Sequence, residues 1–364
     1  MRIAYILDDD ISTRTGVVNK IDSKIRQWEK YGNQVQVFSL RSKKDISCIY
    51  NGVIISTLSI NKSIFRKFFA QYKNIKTLRK ELIHFKPDII YLRHMKYYIG
   101  IVSAFNSVCN YVIELNSNDL AESKRNNILV HLYNKLTRSI LLKHAAGFVS
   151  VSHELIHSPI FSKYKKPFIV VGNGYDFNSA QYIHKENNKI VRFVFIGTPQ
   201  QSWHGIDKVI TMAKYFKNYE FHIIGMTNQE LQTTASNITT YGYLTQEKSE
   251  EIIASCDIGI STLALHRKNM TEACPLKSRQ YLACGLPIII GYKDTDINEN
   301  LEYILSIGNY ESNVSDNFEK IENFIKEIKK INFDKIRIDM KSLLDYENKE
   351  LKRVEFMRLI KGKK

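Results

Sequence analysis

Hydrophobic positions along the chain fall in short continuous runs rich in β-branched residues, separated by longer stretches with apolar residues every three or four positions. In the first half the runs are RIAYIL (from Arg2), QVQVFSL (from Gln34), DIIYL (from Asp88), YVIEL (from Tyr111), GFVSVS (from Gly147) and PFIVV (from Pro167). In the second half they are VRFVFIG (from Val191), EFHIIG (from Glu220), CDIGIS (from Cys256) and LPIIIG (from Leu286). The alternation of these strand-like runs with helical spacers predicts an α/β chain with parallel, doubly wound sheets and helices on both faces. Ten runs exceed one ordinary open sheet and divide into two. The seam falls at Gly172 to Val191, where NGYDF is a turn signal and HKENNK a polar linker. The expected domains are therefore 1–172 and 173–344, with a terminal helix at about 345–364 packing back on the first.

In such sheets ligands bind beyond the carboxyl ends of the strands, and two facing sheets make an interdomain cleft. The loops that matter are DDDISTRTGVVNK after the first strand and TPQQSWHGIDKVI after VRFVFIG. Each carries a glycine and leads into a helix, yet neither fits the dinucleotide or P-loop fingerprint. The acidic Asp8–Asp10 run reads as a solvated loop ahead of a metal site.

The stretch TEACPLKSRQYLACGLPIII, Thr271 to Ile290, predicts a helix with Pro275 in its first turn and Gly285 at its stop. Those signals leave Glu272, Lys277 and Arg279 unexplained, since they gather around the helix start. A helix N-terminus has free N–H groups and partial positive charge, so added cations make it a phosphate site.

Composition narrows the partners. With 364 residues, 44% hydrophobic and 25% charged, the chain is globular and its length suits two domains. Five scattered cysteines without a C-x-x-C pair suggest reduced thiols, neither a disulfide framework nor a zinc site. Met1 to Leu7 is stopped at once by Asp8, unlike a signal peptide, and no apolar run reaches the roughly 18 to 20 residues of a membrane span. A cytoplasmic protein is expected, peripheral on the inner membrane face if it meets lipid. The formal charge of +16 implies a polyanionic neighbour, either anionic lipid, a phosphorylated substrate or nucleic acid. No nucleic-acid module motif is visible, which disfavours the last. KSIFRKFFAQYKNIKTLRKELIHFK, Lys62 to Lys86, interleaves cations with Ile, Phe and Leu and holds one acid, Glu81. It suits either an anionic membrane surface or a core-packed helix with a basic outer face.

Several blocks in order then resemble the retaining GT-B glycosyltransferases of family 4: AAGFVSVSHEL, VVGNGYDF, FIGTPQQSWHGIDKVI, HIIG, YGYL and ASCDIGISTLALHRKNMTEACPLKSRQYLACGLPII, from Ala145 to Ile289. The resemblance implies two facing Rossmann-like domains with an interdomain cleft. It also implies an E-x7-E motif whose first Glu meets the donor sugar, whose intervening N–H groups hold the diphosphate, and whose second Glu binds the ribose. Glu272 holds the first place, Ala273, Cys274, Pro275, Leu276 and Lys277 the phosphate-facing turn, and Gln280 replaces the second Glu. The family's phosphate-clamping Arg, beyond Gly197, falls at Thr198, and its Lys at His204, followed by Gly205. Arg267, Lys268 or Lys277 then remain to supply the charge. Gly16 matches the loop that approaches the donor phosphates. The family's His near the reacting sugar is matched by Asn116, flanked by Glu114 and Asp119, while His94 is a second candidate.

By resemblance the chain is expected to move a sugar from a nucleotide sugar, a UDP-sugar first, to a saccharide or lipid-linked saccharide in bacterial surface polysaccharide synthesis. No cofactor and no metal is expected. Two other readings stay open: a non-hydrolysing sugar-nucleotide epimerase, and a catalytically weak nucleotide-sugar-binding partner of another transferase.

Overall fold

A computed structural model describes residues 1–11, 16–41, 53–55, 64–126, 128–180, 188–231, 233 and 235–362. Cys48, the loop 12–15, Lys62, Ser63 and the HKEN part of the expected linker lie outside the described residues. The chain forms two compact units, Met1–Val171 with Lys349–Lys364, and Gly172–Asn348.

The first unit is a seven-stranded sheet in the order β3-β2-β1-β4-β5-β6-β7, and every neighbouring pair is parallel. Its strands are β1 (Arg2–Leu7), β2 (Gln34–Ser39), β3 (Val53–Ile54), β4 (Ile89–Arg93), β5 (Tyr111–Leu115), β6 (Gly147–Ser150) and β7 (Phe168–Val170). The helices are α1 (Gly16–Lys30), α2 (Ile64–Phe85), α3 (Ile101–Asn106), α4 (Asp119–Asn126), α5 (Ile128–His144), α6 (His153–His157) and α7 (Pro159–Ser162). Chain order reverses at β1/β4, so right-handed crossovers send α1 to one face and α2, α3 and α5 to the other. Side chains agree. On the α1 face, Tyr5, Tyr91 and Val112 pack with Ile21, Ile25 and Trp28 of α1 and with Val354 and Met357 near the C-terminus. On the other face Phe38 meets Phe85 of α2, and Tyr111 meets Phe105 of α3.

The second unit is a six-stranded sheet in the order β10-β9-β8-β11-β13-β15, again parallel throughout. Its strands are β8 (Arg192–Ile196), β9 (Glu220–Ile224), β10 (Ile238–Thr240), β11 (Ile258–Ile260), β13 (Ile288–Ile290) and β15 (Ile304–Ser306). A separate parallel ribbon joins β12 (Glu272–Ala273) to β14 (Lys293–Asp294). The helices are α8 (Ile206–Tyr215), α9 (Asn228–Leu231), α10 (Gln246–Ser255), α11 (Leu276–Ala283), α12 (Phe318–Glu327), α13 (Phe333–Leu344) and α14 (Tyr346–Lys361), the last continuing into the first unit. Alternate residues of β8 feed two cores, Phe193 and Phe195 on one face and Val194 on the other. This is the physical meaning of an apolar run without alternation. Here too chain order reverses, between β8 and β11, and that switch point sets the site.

Among the described residues, no helix is long and apolar enough to cross a membrane. The apolar face of α2 is core, with Ile75, Leu78, Leu82 and Phe85 buried. Tyr72 and Ile83 on the same helix are exposed, so core packing accounts for those four side chains and not for every apolar residue of the helix.

Candidate functional site

At the switch point of the second unit, the ends of β8 and β11 meet the start of α11. Pro275 is not inside the first turn as expected. Its φ of −62° and ψ of 138° place it at the N-cap, and Leu276 is the first helical residue. A proline there offers no side-chain oxygen, so the N–H groups of Leu276, Lys277 and Ser278 receive no side-chain cap. The far end is closed locally: Gly285, at φ 81°, and Leu286 donate to Leu282 and Tyr281 at 3.0 and 2.9 Å, a Schellman stop.

Residues of α11 one turn apart grip the end of β8. The Ile196 N–H donates to the Tyr281 hydroxyl at 2.8 Å, and the Lys277 ammonium donates to the Ile196 carbonyl at 3.0 Å. Beneath the helix, Ser278, Ser261 and Tyr292 hydroxyls bond one another at 2.6 to 3.1 Å. The open N-terminal turn is thereby fixed beside Gly197 and Thr198.

The two cations of this helix have different fates. Arg279 is fully buried, paired through both terminal nitrogens with Asp294, bonded to Asp296 at 2.9 Å, and donating from Nε to the Asn173 carbonyl at 3.2 Å. Asn173 in turn donates to the Cys274 carbonyl at 2.7 Å, so Arg279 builds the turn without facing a ligand. Lys277 is also buried, with its ammonium 4.1 Å from the Phe195 ring centre, and no carboxylate among the described residues pairs with it. Burial without a counter-ion pushes its pKa well below the usual lysine range.

The loop after β8 adds further parts. Gly205 takes φ 78° between a 3₁₀ turn, Ser202–His204, and α8. A Cβ there would stand 3.0 Å from Leu263 Cβ, so glycine serves both conformation and close approach. His204 Nδ1 accepts from the Thr198 N–H at 3.2 Å. Its pKa falls to about 2 through burial, then through the charges of Lys277 and Lys268. Lys268 stacks its ammonium on Trp203, 4.1 Å from the ring centre. Arg267, by contrast, forks onto Asp207 and Glu311 and donates to the Ser202 carbonyl at 2.9 Å, which makes it a clamp on this loop. Glu272 is buried in the β12/β14 ribbon opposite Lys293, and Ala273 follows it there. Gln280 is half-buried on α11, one turn beyond Leu276.

In the first unit Gly16 opens α1. Asn116, just beyond β5, has its Oδ1 held by Lys20 at 2.9 Å, and its buried Nδ2 has no hydrogen-bond partner among the described residues. Lys20 and Lys24 also reach Glu114, at 3.3 and 2.7 Å. Burial opposes ionisation of Glu114, but Lys20, Lys24, Arg353 and Arg93 outweigh it and hold the carboxyl well below its usual range. His94 is half-buried with its ring edge-on to Phe161, and desolvation lowers its pKa. Asp8 and Asp9 pair with Arg41 and Arg93, and Asp8 also accepts from Tyr98. Among the described residues, no group of three or more His, Cys, Asp or Glu side chains is placed to hold a metal.

Sequence reasoning missed Tyr281, Lys20 and the β12/β14 ribbon. A tyrosine four residues after Lys277 was the signal for the first, since that spacing puts both on one helix face. Two-residue strands leave no periodic signal.

No model of a known protein family matches the chain, and no curated protein is similar to it in sequence. Solved structures do match over the full length. Sucrose-phosphate synthase from Thermosynechococcus elongatus superposes with a TM-score of 0.73 at 12% identity, covering 99% of this chain and 98% of that one. A glycosyltransferase from Rickettsia africae gives 0.70 at 12% identity, covering 100% and 99%. Anabaena HepE, solved with UDP and glucose, gives 0.68 at 12% identity, covering 99% and 100%. At these identities the likeness is one of fold, and that fold is GT-B, built on two Rossmann-like domains.

Proposed function

We propose that the chain is a retaining glycosyltransferase that takes a nucleotide sugar, a UDP-sugar by analogy with the ligands named for HepE. One observation carries the reading: a buried lysine, Lys277, without a carboxylate partner among the described residues, at the uncapped start of α11 on the sheet's switch point. The N–H groups of Leu276 to Ser278 and the Lys277 ammonium receive the diphosphate, with Lys268 as a second cation. Glu272 accepts from the donor sugar's hydroxyls, and Gln280 meets the ribose. His94, half-buried beside Phe161, is a supporting group. Arg267 acts through the loop it clamps.

In the transfer, the bond from the sugar C1 to the phosphate oxygen breaks and UDP leaves with the electron pair. The acceptor hydroxyl oxygen bonds to C1 from the same face, and its proton passes to the departing phosphate. Fixed N–H dipoles and the ammonium stabilise the charge growing on that leaving group. The acceptor is a saccharide or lipid-linked saccharide, of the kind found in surface polysaccharide. Metal is not needed for a leaving group so held, and activity unchanged by EDTA is expected.

Calorimetry against UDP, UDP-sugars and GDP-sugars tests the reading. Binding of one nucleotide class, weakened roughly 10- to 100-fold in Lys277→Met, is expected from the loss of a charged hydrogen bond. No binding by any of them overturns it.

A further inference from the structure

One helix carries a cluster of exposed apolar side chains that the proposed chemistry does not use. On α5, Ile128, Leu129, Leu132, Tyr133, Leu136 and Ile140 are exposed, Leu136 by 77% and Leu132 by 49%. They recur at three- and four-residue steps along one face, while Asn134, Arg138, Leu141 and Leu142 are buried on the other. The buried face is locked, because Arg138 and Asn134 both bond Asp119 at 2.8 Å. The outward stripe therefore cannot roll inward without breaking a buried ion pair.

The surroundings select the occupant. The helix contains no acid, and Lys135, Lys143 and His144 are exposed along it. Ile99, exposed by 48%, lies beside the stripe, where the Tyr133 hydroxyl donates to the Tyr97 carbonyl at 2.7 Å. α3 packs against both α5 and α2, and α2 turns Lys73, Lys76, Arg79 and Lys80 to solvent. One side of the first unit thus presents an apolar ridge flanked by cations, on a chain of net charge +16.

We propose that this side docks onto an anionic lipid bilayer, with the α5 leucines and isoleucines entering the acyl boundary and the α2 and α5 cations on headgroups. A second copy of the same surface is disfavoured, because an isologous contact would bring the same basic face against itself. The inference is independent of the transferase reading, since none of the residues assigned to the donor lies on α2 or α5.

The test is co-sedimentation of the full chain with vesicles of phosphatidylcholine alone, or with phosphatidylglycerol added. Binding to the anionic vesicles alone, reduced at least tenfold in the double variant Leu132→Gln/Leu136→Gln and weakened by salt, is the expected result. Unchanged melting temperature keeps that variant's loss a surface effect, because both side chains are exposed. A quadruple Lys73→Gln/Lys76→Gln/Arg79→Gln/Lys80→Gln variant should likewise lose binding. The proposal fails if vesicles are not bound, or if the leucine pair leaves binding unchanged. It fails equally if the chain is a dimer that the leucine variant dissociates.

Discussion

The Thr198 N–H donates to His204 Nδ1 across 3.2 Å, which puts the imidazole proton on Nε2. Burial and the charges of Lys277 and Lys268 lower the His204 pKa to about 2, so the ring is neutral wherever the protein is folded at ordinary pH. The unfolded chain takes a proton there below about pH 6.5. Stability contributed by this site is therefore present above about pH 6.5 and lost as pH falls towards 2. Ring 15N shifts of His204 are expected to show the Nε2–H tautomer unchanged between about pH 5 and 8. A titration step in that range would remove the assignment.

The two cations of α11 should respond oppositely to neutralisation. Arg279→Met strands the buried Asp294 carboxylate and is expected to cost about 3–5 kcal/mol. Lys277→Met removes a buried, desolvated amine that has no carboxylate partner among the described residues and is expected to leave stability unchanged or raise it. Urea unfolding of both variants gives the comparison. Equal losses would mean that Lys277 is a structural cation like its neighbour.

This contrast shows where the sequence was legible. All ten apolar runs became strands, because strands covered by helices are rich in β-branched and apolar residues, most completely so in central strands such as β1, β5 and β8. The β12 and β14 segments were not foreseen, since two residues held by the fold around them carry no pattern. The cluster around Pro275 was visible as charge. Its division into a structural arginine and an unpaired lysine depends on Asp294 and Asp296, which reach Arg279 through tertiary folding. The same limit applies to α2, whose sequence suits membrane and core alike; its burial of Ile75, Leu78 and Leu82 beside an exposed Ile83 is set by tertiary packing. The exposed stripe of α5 had no such warning, because a leucine-rich helix reads as core.

Glu272 separates sugar recognition from nucleotide recognition. Its backbone belongs to the β12/β14 ribbon, so the isosteric Glu272→Gln keeps that pairing. Losing a charged hydrogen bond to the donor sugar is expected to cut transfer roughly 10- to 100-fold. UDP lacks that sugar, so its calorimetric affinity should stay the same. A parallel loss of UDP affinity would place Glu272 on the nucleotide.

Gln280 tests the other end of the motif. It stands half-buried one turn beyond Leu276, and its carbonyl accepts from the Cys284 N–H at 3.0 Å, a bond that a side-chain change leaves intact. Gln280→Glu supplies an ionised acceptor where the amide now stands, and a charge-assisted bond to a ribose hydroxyl is stronger by about 1 kcal/mol. UDP affinity is therefore expected to rise roughly fivefold, with the melting temperature of the free protein unchanged. The gain should vanish for uracil, which has no ribose to bind. Weaker UDP binding would mean that residue 280 faces the diphosphate, where an added negative charge repels the ligand.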